Sequence, residues 1–167
     1  ETATDYIVTD NNFGSANIIE EKTKEKIEKL KDLEYDYLII PGFIGKNELN
    51  NITTLGRGGG DYTAAIFGSY LDVDFVEIWT DVDGIRTSDP RIVKNTDTLD
   101  NISYNEMLEL SHYGANVIYT PTILTLYKKN IPVYVRNTFN PVFKGTKIDF
   151  SNDNWSHTIS ISKMNKT

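Results

Sequence analysis

The sequence contains no cysteine, and its 167 residues include only two histidines, His112 and His157. Without cysteine, a disulfide framework and thiolate metal sites are excluded, and two histidines alone do not make a conventional zinc site. No apolar run approaches the roughly 20 residues of a membrane helix, and the polar N-terminus has no signal-peptide core. These absences predict a protein with no membrane partner, and they are compatible with the cytoplasm, which is the location we expect.

An excess of basic residues is missing as well. Lysine and arginine number 17 against 24 aspartates and glutamates, so the formal net charge is −7 and the pI is near 4.8. Such a chain has no general electrostatic attraction to nucleic acid or to an anionic membrane. Its length and 39% hydrophobic content predict one domain, or most of one, with a sizeable core. We therefore expect a small-molecule or protein partner and no nucleic acid.

Segments rich in β-branched and aromatic residues alternate with segments of helical periodicity. Strands are predicted at Asp5–Thr9, Tyr35–Ile40, Asp74–Thr80 and Ile131–Val135. Helices are predicted at Glu20–Leu33, Asp61–Leu71, Ser103–Tyr113 and from Thr120 to near Asn130. This alternation predicts an α/β layered fold around a largely parallel sheet.

Two of these helices begin with local signals. Ser103 and Glu106 form a potential capping box, in which each side chain accepts a hydrogen bond from an otherwise unpaired backbone N–H. Thr120 followed by Pro121 is typical of an N-cap and the first helical position. Both signals predict where a helix begins.

The most unusual stretch is TTLGRGGGDYTAA, Thr53–Ala65. It is not a P-loop, because no lysine follows the glycines, and it is not a dinucleotide fingerprint, because Asp61 stands where that pattern needs glycine. A bare turn into a helix starting near Asp61 leaves backbone N–H groups open to an anion, and Arg57 adds a planar fork for a carboxylate or phosphate. Asp61 can pair with an ammonium group, so the two charges suit an amino acid zwitterion. In the alternative interpretation Asp61 only caps its helix and Arg57 is solvated.

Two further segments follow predicted strands. Glu77–Arg91 leaves the end of one strand, where α/β sheets collect ligands, so Thr80 and Asp81 are placed to bind a ribose or base and Arg91 a phosphate. The alternative is a turn-rich loop with an Asp–Arg surface pair. Pro41–Gly45 either brings backbone close to a phosphoryl group or forms a simple bend. Together with the glycine stretch, these segments predict one crevice.

These motifs resemble those of aspartokinases. The resemblance is carried by PGFIG, TTLGRGGGDYTAA, VEIWTDVDGIRTSDPR, SYNEMLELSHYGANVIYTPT and IPVYVRNTFNPVFKGTKI, in this order, and it covers about Asp5 to Ile148. It implies the amino acid kinase fold, a three-layer α/β/α sandwich with a mostly parallel central sheet, here incomplete at the N-terminus. It also implies an enzyme that transfers the γ-phosphoryl group of ATP to the side-chain carboxylate of L-aspartate, the step that opens lysine, threonine and methionine biosynthesis.

The resemblance also implies which residues bind the substrates. L-aspartate would be held by Arg57, Gly58, Gly59, Gly60 and Asp61. ATP, accompanied by Mg²⁺, would be held by Thr80, Asp81, Arg86, Arg91, Asn116 and Val117. No residue of this chain is expected to form a metal site of its own. The nucleophile is a carboxylate already ionised at neutral pH, so positioning and neutralisation of phosphate charge would supply the catalysis.

The sequence departs from the family pattern in three places. The family's N-terminal Lys-Phe-Gly-Gly strand, which carries the lysine that meets the transferring phosphate, is absent. The family's Gly-Ala-Lys reads Gly-Ala-Asn at Asn116, and its Gly-Gly-Ser ends in Gly60. A neutral amide does not replace an ammonium group near the phosphates. We therefore expect no kinase activity from this chain alone, and the alternative function is a non-catalytic regulatory module that binds an amino acid or a nucleotide.

The domain organisation follows from the extent of the resemblance. Residues 1–148 are predicted to be the C-terminal portion of an amino acid kinase domain, its nucleotide-binding half. Residues 149–167 are predicted to be a linker and the start of a regulatory-domain strand, because a polar stretch precedes the alternating His157–Lys163. A sheet that lacks one strand exposes backbone and apolar surface, so self-association into a homo-oligomer is a further hypothesis.

Overall fold

A computed structural model of the chain describes residues 2–89, 91, 93–112 and 118–150. The chain divides into two compact units, residues 1–73 and 74–167. Both contain helices and strands, which confirms the predicted α/β class. Within the described ranges, every helix is too short or too polar to cross a membrane.

The first unit contains three helices and a small mixed sheet. Its elements are α1 (Ala3–Tyr6), β1 (Val8–Thr9), α2 (Glu20–Glu28), β2 (Ile44–Asn47), β3 (Ile52–Thr54) and α3 (Gly59–Leu71). A 3₁₀ turn over Lys29–Asp32 continues α2. In the sheet, β1 runs parallel to β2 and β2 runs antiparallel to β3.

An apolar cluster holds the first unit together. Its buried members are Ala3, Ile7, Ile27, Leu30, Leu55, Ile66 and Phe67. They come from α1, α2, the 3₁₀ turn, the segment after β3, and α3, so all three helices contribute to one core. Burying an aliphatic side chain of this size stabilises a fold by about 1.5–3 kcal/mol.

In its described residues, the second unit is a four-stranded sheet with two helices. Its elements are β4 (Val76–Thr80), β5 (Asn101–Ser103), α4 (Tyr104–His112), α5 (Thr120–Tyr127), β6 (Val133–Asn137) and β7 (Thr146–Asp149). The strand order is β4-β6-β7-β5, with β4 parallel to β6, β5 parallel to β7, and β6 antiparallel to β7. Because three of the five pairings named for the two sheets are parallel, the expectation of mostly parallel pairing is confirmed.

The strand β6 buries alternate residues. Val133 and Val135 are fully buried, whereas Tyr134 and Arg136 are half-buried. This period of two is that of a strand with one face on a core. The helices α4 and α5 pack against each other and supply other fully buried side chains, including Met107, Ile123 and Leu126.

The helix-start predictions had different outcomes. The capping box is confirmed, because Ser103 N–H donates to Glu106 Oε2 at 2.7 Å and Glu106 N–H donates to Ser103 Oγ at 3.2 Å. The predicted cap at Thr120 is wrong. Tyr119 is the N-cap of α5, and it makes no side-chain cap hydrogen bond.

Two predicted strands differ from the structure. The segment predicted as a strand at Asp5–Thr9 is helical up to Tyr6, since Ile7 N–H donates to Ala3 O at 2.8 Å, and only Val8–Thr9 pairs with β2. Tyr35–Ile40 is a member of neither sheet in the described part of the chain. A strand exists only where a neighbour accepts its hydrogen bonds, and the sequence pattern cannot supply that neighbour.

Candidate functional site

The glycine stretch forms the link between β3 and α3. Gly56 and Gly58 adopt positive φ angles of 73° and 71°, a conformation that side chains disfavour. Gly58 is the N-cap of α3, which begins at Gly59 and not near Asp61 as the sequence predicted. Gly59 N–H donates to Gly56 O at 3.1 Å, which closes the turn. The glycines are therefore needed to enter the helix through a tight, left-handed bend.

Asp61 is not the cap of its helix, so that part of the alternative interpretation is wrong. The cap position is taken by Gly58, which has no side chain, and Asp61 lies half-buried in the first turn of α3. Burial raises the pKa of the Asp61 carboxyl above its usual value. Arg57 is exposed, and neither residue forms a salt bridge within the described part of the chain. Both charges are thus available to a ligand.

The Pro41–Gly45 segment packs against this turn. Phe43, at a positive φ of 76°, accepts a hydrogen bond from Leu55 N–H at 2.9 Å and donates its own N–H to Thr63 Oγ1 at 3.0 Å. Thr63 Oγ1 in turn donates to Gly59 O at 2.7 Å. The structure therefore brings together two of the three segments that the sequence placed in one crevice, and one hydroxyl of α3 connects them.

The glycines of the turn differ in the space around them. A Cβ on Gly59 would lie 2.9 Å from Phe43 Cδ2 and 3.0 Å from Leu55 Cβ, so this position is closed to side chains. A Cβ on Gly60 would meet nothing within 4 Å. Gly59 is required by packing, whereas Gly60 leaves open space at the start of the helix. A serine at position 60 would fit without a clash.

A second loop, residues 10–17, supports the turn and was missed in the sequence. Thr54 N–H donates to Phe13 O at 2.9 Å, and Ala16 N–H donates to Thr54 O at 2.8 Å. Ser15 lies beside Gly56, where an added Cβ would come within 3.0 Å of its hydroxyl oxygen. The backbone around Arg57 is thus held from the side by this loop.

Asp10 organises the supporting loop. Its carboxylate accepts the side-chain amide of Asn17 at 2.8 Å and the backbone N–H groups of Asn12 at 3.0 Å and Asn17 at 3.1 Å. These hydrogen bonds, that of the Asn17 side chain above all, lower the pKa of Asp10. The Asp-Asn-Asn run is a recognisable turn signal, since such side chains bond to the backbone two residues on, and it could have identified the loop.

In the second unit, the predicted nucleotide residues begin at the carboxyl end of β4. Thr80 lies opposite Asn137, the last residue of the parallel neighbour β6, and accepts a hydrogen bond from Thr138 N–H at 2.8 Å. Asp81 is exposed, and its carboxylate accepts the Thr80 hydroxyl at 3.2 Å. Two parallel strands therefore end together at Thr80 and Asn137, and Asp81 follows at the edge where α/β sheets bind ligands.

Asp83 ties the loops that follow these two strands. Its Oδ1 accepts the side-chain amide of Asn137 at 2.8 Å and that of Asn140 at 3.3 Å. Asn137 Oδ1 also accepts Phe139 N–H at 2.8 Å. No motif in the sequence indicated this link, because its partners lie 54 and 57 residues from Asp83.

Arg86 and Arg91 both contact neighbours in their own loop. Arg86 donates from Nε to Thr96 Oγ1 at 2.8 Å and from Nη2 to Thr96 O at 2.9 Å. Arg91 is highly exposed and pairs with Asp89, the shortest distance being 2.7 Å from Nη2 to Oδ2. Hydrogen bonding from Arg91 keeps the pKa of the Asp89 carboxyl below its usual value. The surface pair that the sequence offered as an alternative is therefore present.

The last predicted nucleotide residues, Asn116 and Val117, lie outside the described residues, as does His157–Lys163. Within the described ranges, no group of three or more histidine, aspartate or glutamate side chains is arranged to hold a metal ion.

Comparison with known proteins places the chain in a family. The Amino acid kinase family profile matches residues 2–137. The aspartokinase of Rickettsia felis is 39% identical over 153 residues, which cover 92% of this chain and 38% of that protein. The bifunctional aspartokinase/homoserine dehydrogenase of Haemophilus influenzae is 42% identical over 131 residues, which cover 78% of this chain and 16% of that protein. The chain therefore spans a minor part of the length of these relatives.

A solved structure extends the comparison to the fold. Escherichia coli aspartokinase III, in complex with aspartate and ADP, superposes with a TM-score of 0.85 at 35% identity, over 92% of this chain and 35% of that one. This likeness confirms the predicted amino acid kinase fold. Since the family profile covers most of the chain and aspartokinases match it at about 40% identity, the chain belongs to the amino acid kinase family, as a relative of the aspartokinases.

Proposed function

We propose that the chain serves aspartate kinase activity, the transfer of the γ-phosphoryl group of ATP to the side-chain carboxylate of L-aspartate. This reaction opens lysine, threonine and methionine biosynthesis. One observation carries the proposal: Arg57 and Asp61 flank a bare glycine turn, and neither is engaged in a salt bridge in the described structure. The similarity to an aspartokinase solved with aspartate and ADP supports it.

The amino acid site works by charge pairing. The Arg57 guanidinium matches the α-carboxylate of L-aspartate in a two-pronged contact, and the Asp61 carboxylate matches its ammonium group. Burial raises the pKa of Asp61, and a bound ammonium group offsets that rise because an opposite charge favours the ionised form. Gly58, Gly59 and Gly60 form the floor, and the open space beside Gly60 lets the ligand approach the start of α3.

ATP belongs to the second unit in this proposal. Thr80 and Asp81 bind the ribose or base at the ends of β4 and β6, and Arg91 exchanges Asp89 for a phosphate. Arg86, Asn116 and Val117 complete the nucleotide contacts in the proposed assignment. Mg²⁺ enters as part of the Mg·ATP substrate, and such ions are held largely by phosphate oxygens and water, so the chain needs no metal cage. Because the aspartate carboxylate is already ionised, catalysis then rests on positioning of the substrates and on neutralisation of phosphate charge.

Ligand titration tests the amino acid site. Calorimetry should show that the chain binds L-aspartate more tightly than succinate, which has no ammonium group. Asp61→Asn should weaken L-aspartate binding by about 10- to 100-fold, the range for a hydrogen bond to a charged group, and leave succinate binding nearly unchanged. Asp74→Asn, an equal change of charge at an exposed position, is the control. Equal binding of both ligands by the unsubstituted chain would contradict the proposal.

Phosphoryl transfer is tested separately. Because Asn116 stands where the family pattern has a lysine, we expect the purified chain to form no aspartyl phosphate above an Asp61→Ala control. Formation above that control would show that the chain is active without that lysine.

The second candidate is a non-catalytic regulatory module that binds an amino acid or a nucleotide. Asn116 and Gly60 favour it, since both lack a functional group that the family pattern has at these positions. Asn116→Lys separates the two functions. In a full-length protein carrying this chain, a gain of kinase activity supports a catalytic site weakened at one position, and unchanged activity tells against Asn116 as the cause of any deficiency.

A further inference from the structure

Thr63, in the second turn of α3, has a hydroxyl that makes two hydrogen bonds inside the first unit. The residue is buried, with 5% of its surface exposed. Its Oγ1 donates to Gly59 O at 2.7 Å and accepts the N–H of Phe43 at 3.0 Å. A hydroxyl has one hydrogen and two lone pairs, so bonding to the helix carbonyl leaves an acceptor for Phe43. The Thr63 hydroxyl therefore joins the first turn of α3 to the segment Pro41–Gly45.

Phe43 is held in a backbone conformation that its side chain disfavours. Its φ angle is 76°, and a residue other than glycine keeps such an angle only where the surrounding structure imposes it. Both of its backbone polar groups are bonded, the N–H to Thr63 Oγ1 and the carbonyl oxygen to the N–H of Leu55 at 2.9 Å. Thr63 and Leu55 therefore fix the Phe43 backbone from two sides.

The two joined segments also approach each other closely at two glycines. A Cβ on Gly42 would lie 3.3 Å from Thr63 Cβ and 3.4 Å from Gly60 Cα. A Cβ on Gly59 would lie 2.9 Å from Phe43 Cδ2. Because close-packed groups transmit a displacement to their neighbours, a shift of Phe43 is passed on to the start of α3.

We propose that Thr63 is a positioning residue of the amino acid site, an inference that rests on the function proposed above. Leu55 lies two residues before Arg57, and Thr63 lies two residues after Asp61. Because Phe43 bonds to both Leu55 and Thr63, it clamps the chain on either side of the two charged residues. The Thr63 hydroxyl thereby sets the spacing of the backbone positions that carry the Arg57 guanidinium and the Asp61 carboxylate.

A positioning role has a consequence for ligand preference that a purely structural role lacks. L-aspartate presents a carboxylate and an ammonium group to the site, whereas succinate has no ammonium group. A changed spacing between Arg57 and Asp61 should weaken L-aspartate more than succinate, because only L-aspartate needs both charges at once. A loss of stability alone lowers both affinities by the same factor, since the unfolded chain binds neither ligand.

Calorimetry of the complete chain with both ligands, together with urea denaturation, tests the role of the hydroxyl. Thr63→Val keeps the branched shape of the side chain and removes the hydroxyl. The preference for L-aspartate over succinate should then fall by about 2- to 10-fold, the factor that corresponds to one net hydrogen bond. Thr63→Ser retains the hydroxyl and should keep the preference of the natural chain.

Thr23→Val is the matched control. Thr23 is a fully buried residue of α2, and its hydroxyl accepts the N–H of Val8 at 3.0 Å and donates to Val8 O at 3.2 Å. Its substitution should lower the stability of the same unit and leave the ligand preference unchanged. An unchanged preference in Thr63→Val, or an equal fall in both threonine variants, would overturn the proposal. Equal binding of both ligands by the natural chain would instead overturn the proposed amino acid site, and this inference with it.

Amide hydrogen exchange of the natural chain tests the same link without any substitution, so it does not depend on whether Thr63→Val folds. If L-aspartate binds only while Thr63 holds Phe43, the ligand suppresses the local openings that expose the Phe43 N–H. At roughly ten times its Kd, L-aspartate should slow exchange of the Phe43 amide by about 10-fold, and should slow that of the Val8 amide by less than half this factor. Equal slowing of the two amides, or no slowing at Phe43, would overturn the proposal.

Discussion

The glycine turn of the first unit and the loop after β4 in the second unit differ in whether their charged side chains are paired. In the first unit, Arg57 and Asp61 form no salt bridge in the described structure, while the backbone between them is held by neighbouring segments. In the second unit, Arg86 is bonded to Thr96 and Arg91 to Asp89. The first segment has a hydrogen-bonded backbone and two charges without a salt bridge in the described structure, whereas the arginines of the second segment are bonded within their own loop.

This difference indicates two ways of binding an anion. A ligand at the glycine turn gains its charge contacts without breaking a salt bridge of the described structure. It also meets a turn that its hydrogen bonds have already shaped. A phosphate at Arg91 has to displace a carboxylate, although an exposed pair of this kind contributes only about 0–1 kcal/mol. We therefore predict that substitutions in the glycine turn change the shape and stability of the fold. Substitutions beside Arg91 should instead change how strongly a carboxylate competes with a ligand for its guanidinium group.

The largest effect should come from filling the turn. Gly59→Ala places a methyl group 2.9 Å from the Phe43 ring and 3.0 Å from Leu55, and overpacking of this kind costs about 1–3 kcal/mol. Gly60→Ala has open space and should leave stability unchanged or slightly higher, because alanine is a better helix former. Urea denaturation of both variants measures the difference. Equal stability would show that the turn is not closely packed.

The next largest effect should come from removing the Asp83 carboxylate, which connects two loops of the second unit. Asp83→Ala removes the acceptor for the Asn137 amide, a bond to a charged group whose loss should cost about 1–2 kcal/mol. Asp81→Ala, two residues earlier and exposed, is the matched control and should change stability little. Thermal unfolding distinguishes them. If both substitutions cost the same, Asp83 is not what connects the loops.

How well the sequence predicted an interaction depends on how far apart its two partners lie along the chain. The capping box of Ser103 and Glu106 was predictable because both groups lie within one turn of helix. Tyr35–Ile40 has the composition of a strand, but pairing requires a neighbour that the composition does not specify. The tie from Asp83 to Asn137 joins residues 54 apart, beyond any local pattern.

The candidate site shows the same limit. The sequence identified Arg57 and Asp61 and the bare glycines between them, because residue types alone reveal charge and missing side chains. It misjudged the start of α3, which Gly58 caps in a left-handed conformation. It also missed Asp10, whose carboxylate orders the loop of residues 10–17 by accepting three hydrogen bonds. The sequence therefore predicted the charged groups of the site, but not the hydrogen bonds that hold the turn in place.

A smaller effect should appear in the pH dependence of stability. Burial raises the pKa of Asp61 from its ordinary value of 3.8, so the folded chain binds a proton there more readily than the unfolded chain. The contribution of Asp61 to stability therefore falls as pH rises through the interval above 3.8. Asp61→Asn should remove this loss, so that the variant is slightly more stable than the natural chain at neutral pH and not in acid. Denaturant midpoints at several pH values measure it, and a constant difference would contradict burial as the cause.

The smallest effect should be a gain in nucleotide affinity when Arg91 is released. Asp89→Asn keeps an oxygen for the Arg91 backbone N–H but removes the charge that binds the guanidinium, so a phosphate no longer competes with a carboxylate. Since exposed pairs contribute about 0–1 kcal/mol, the gain should be at most roughly fivefold and should shrink with salt. Asp97→Asn, exposed in the same loop, is the control for the general loss of negative charge. Calorimetry with ATP at low ionic strength measures both. Equal gains in ATP affinity for the two variants would show that Arg91 has no special part in binding. The pairing of Arg91 with Asp89 would then be a feature of the loop structure and not of the nucleotide site.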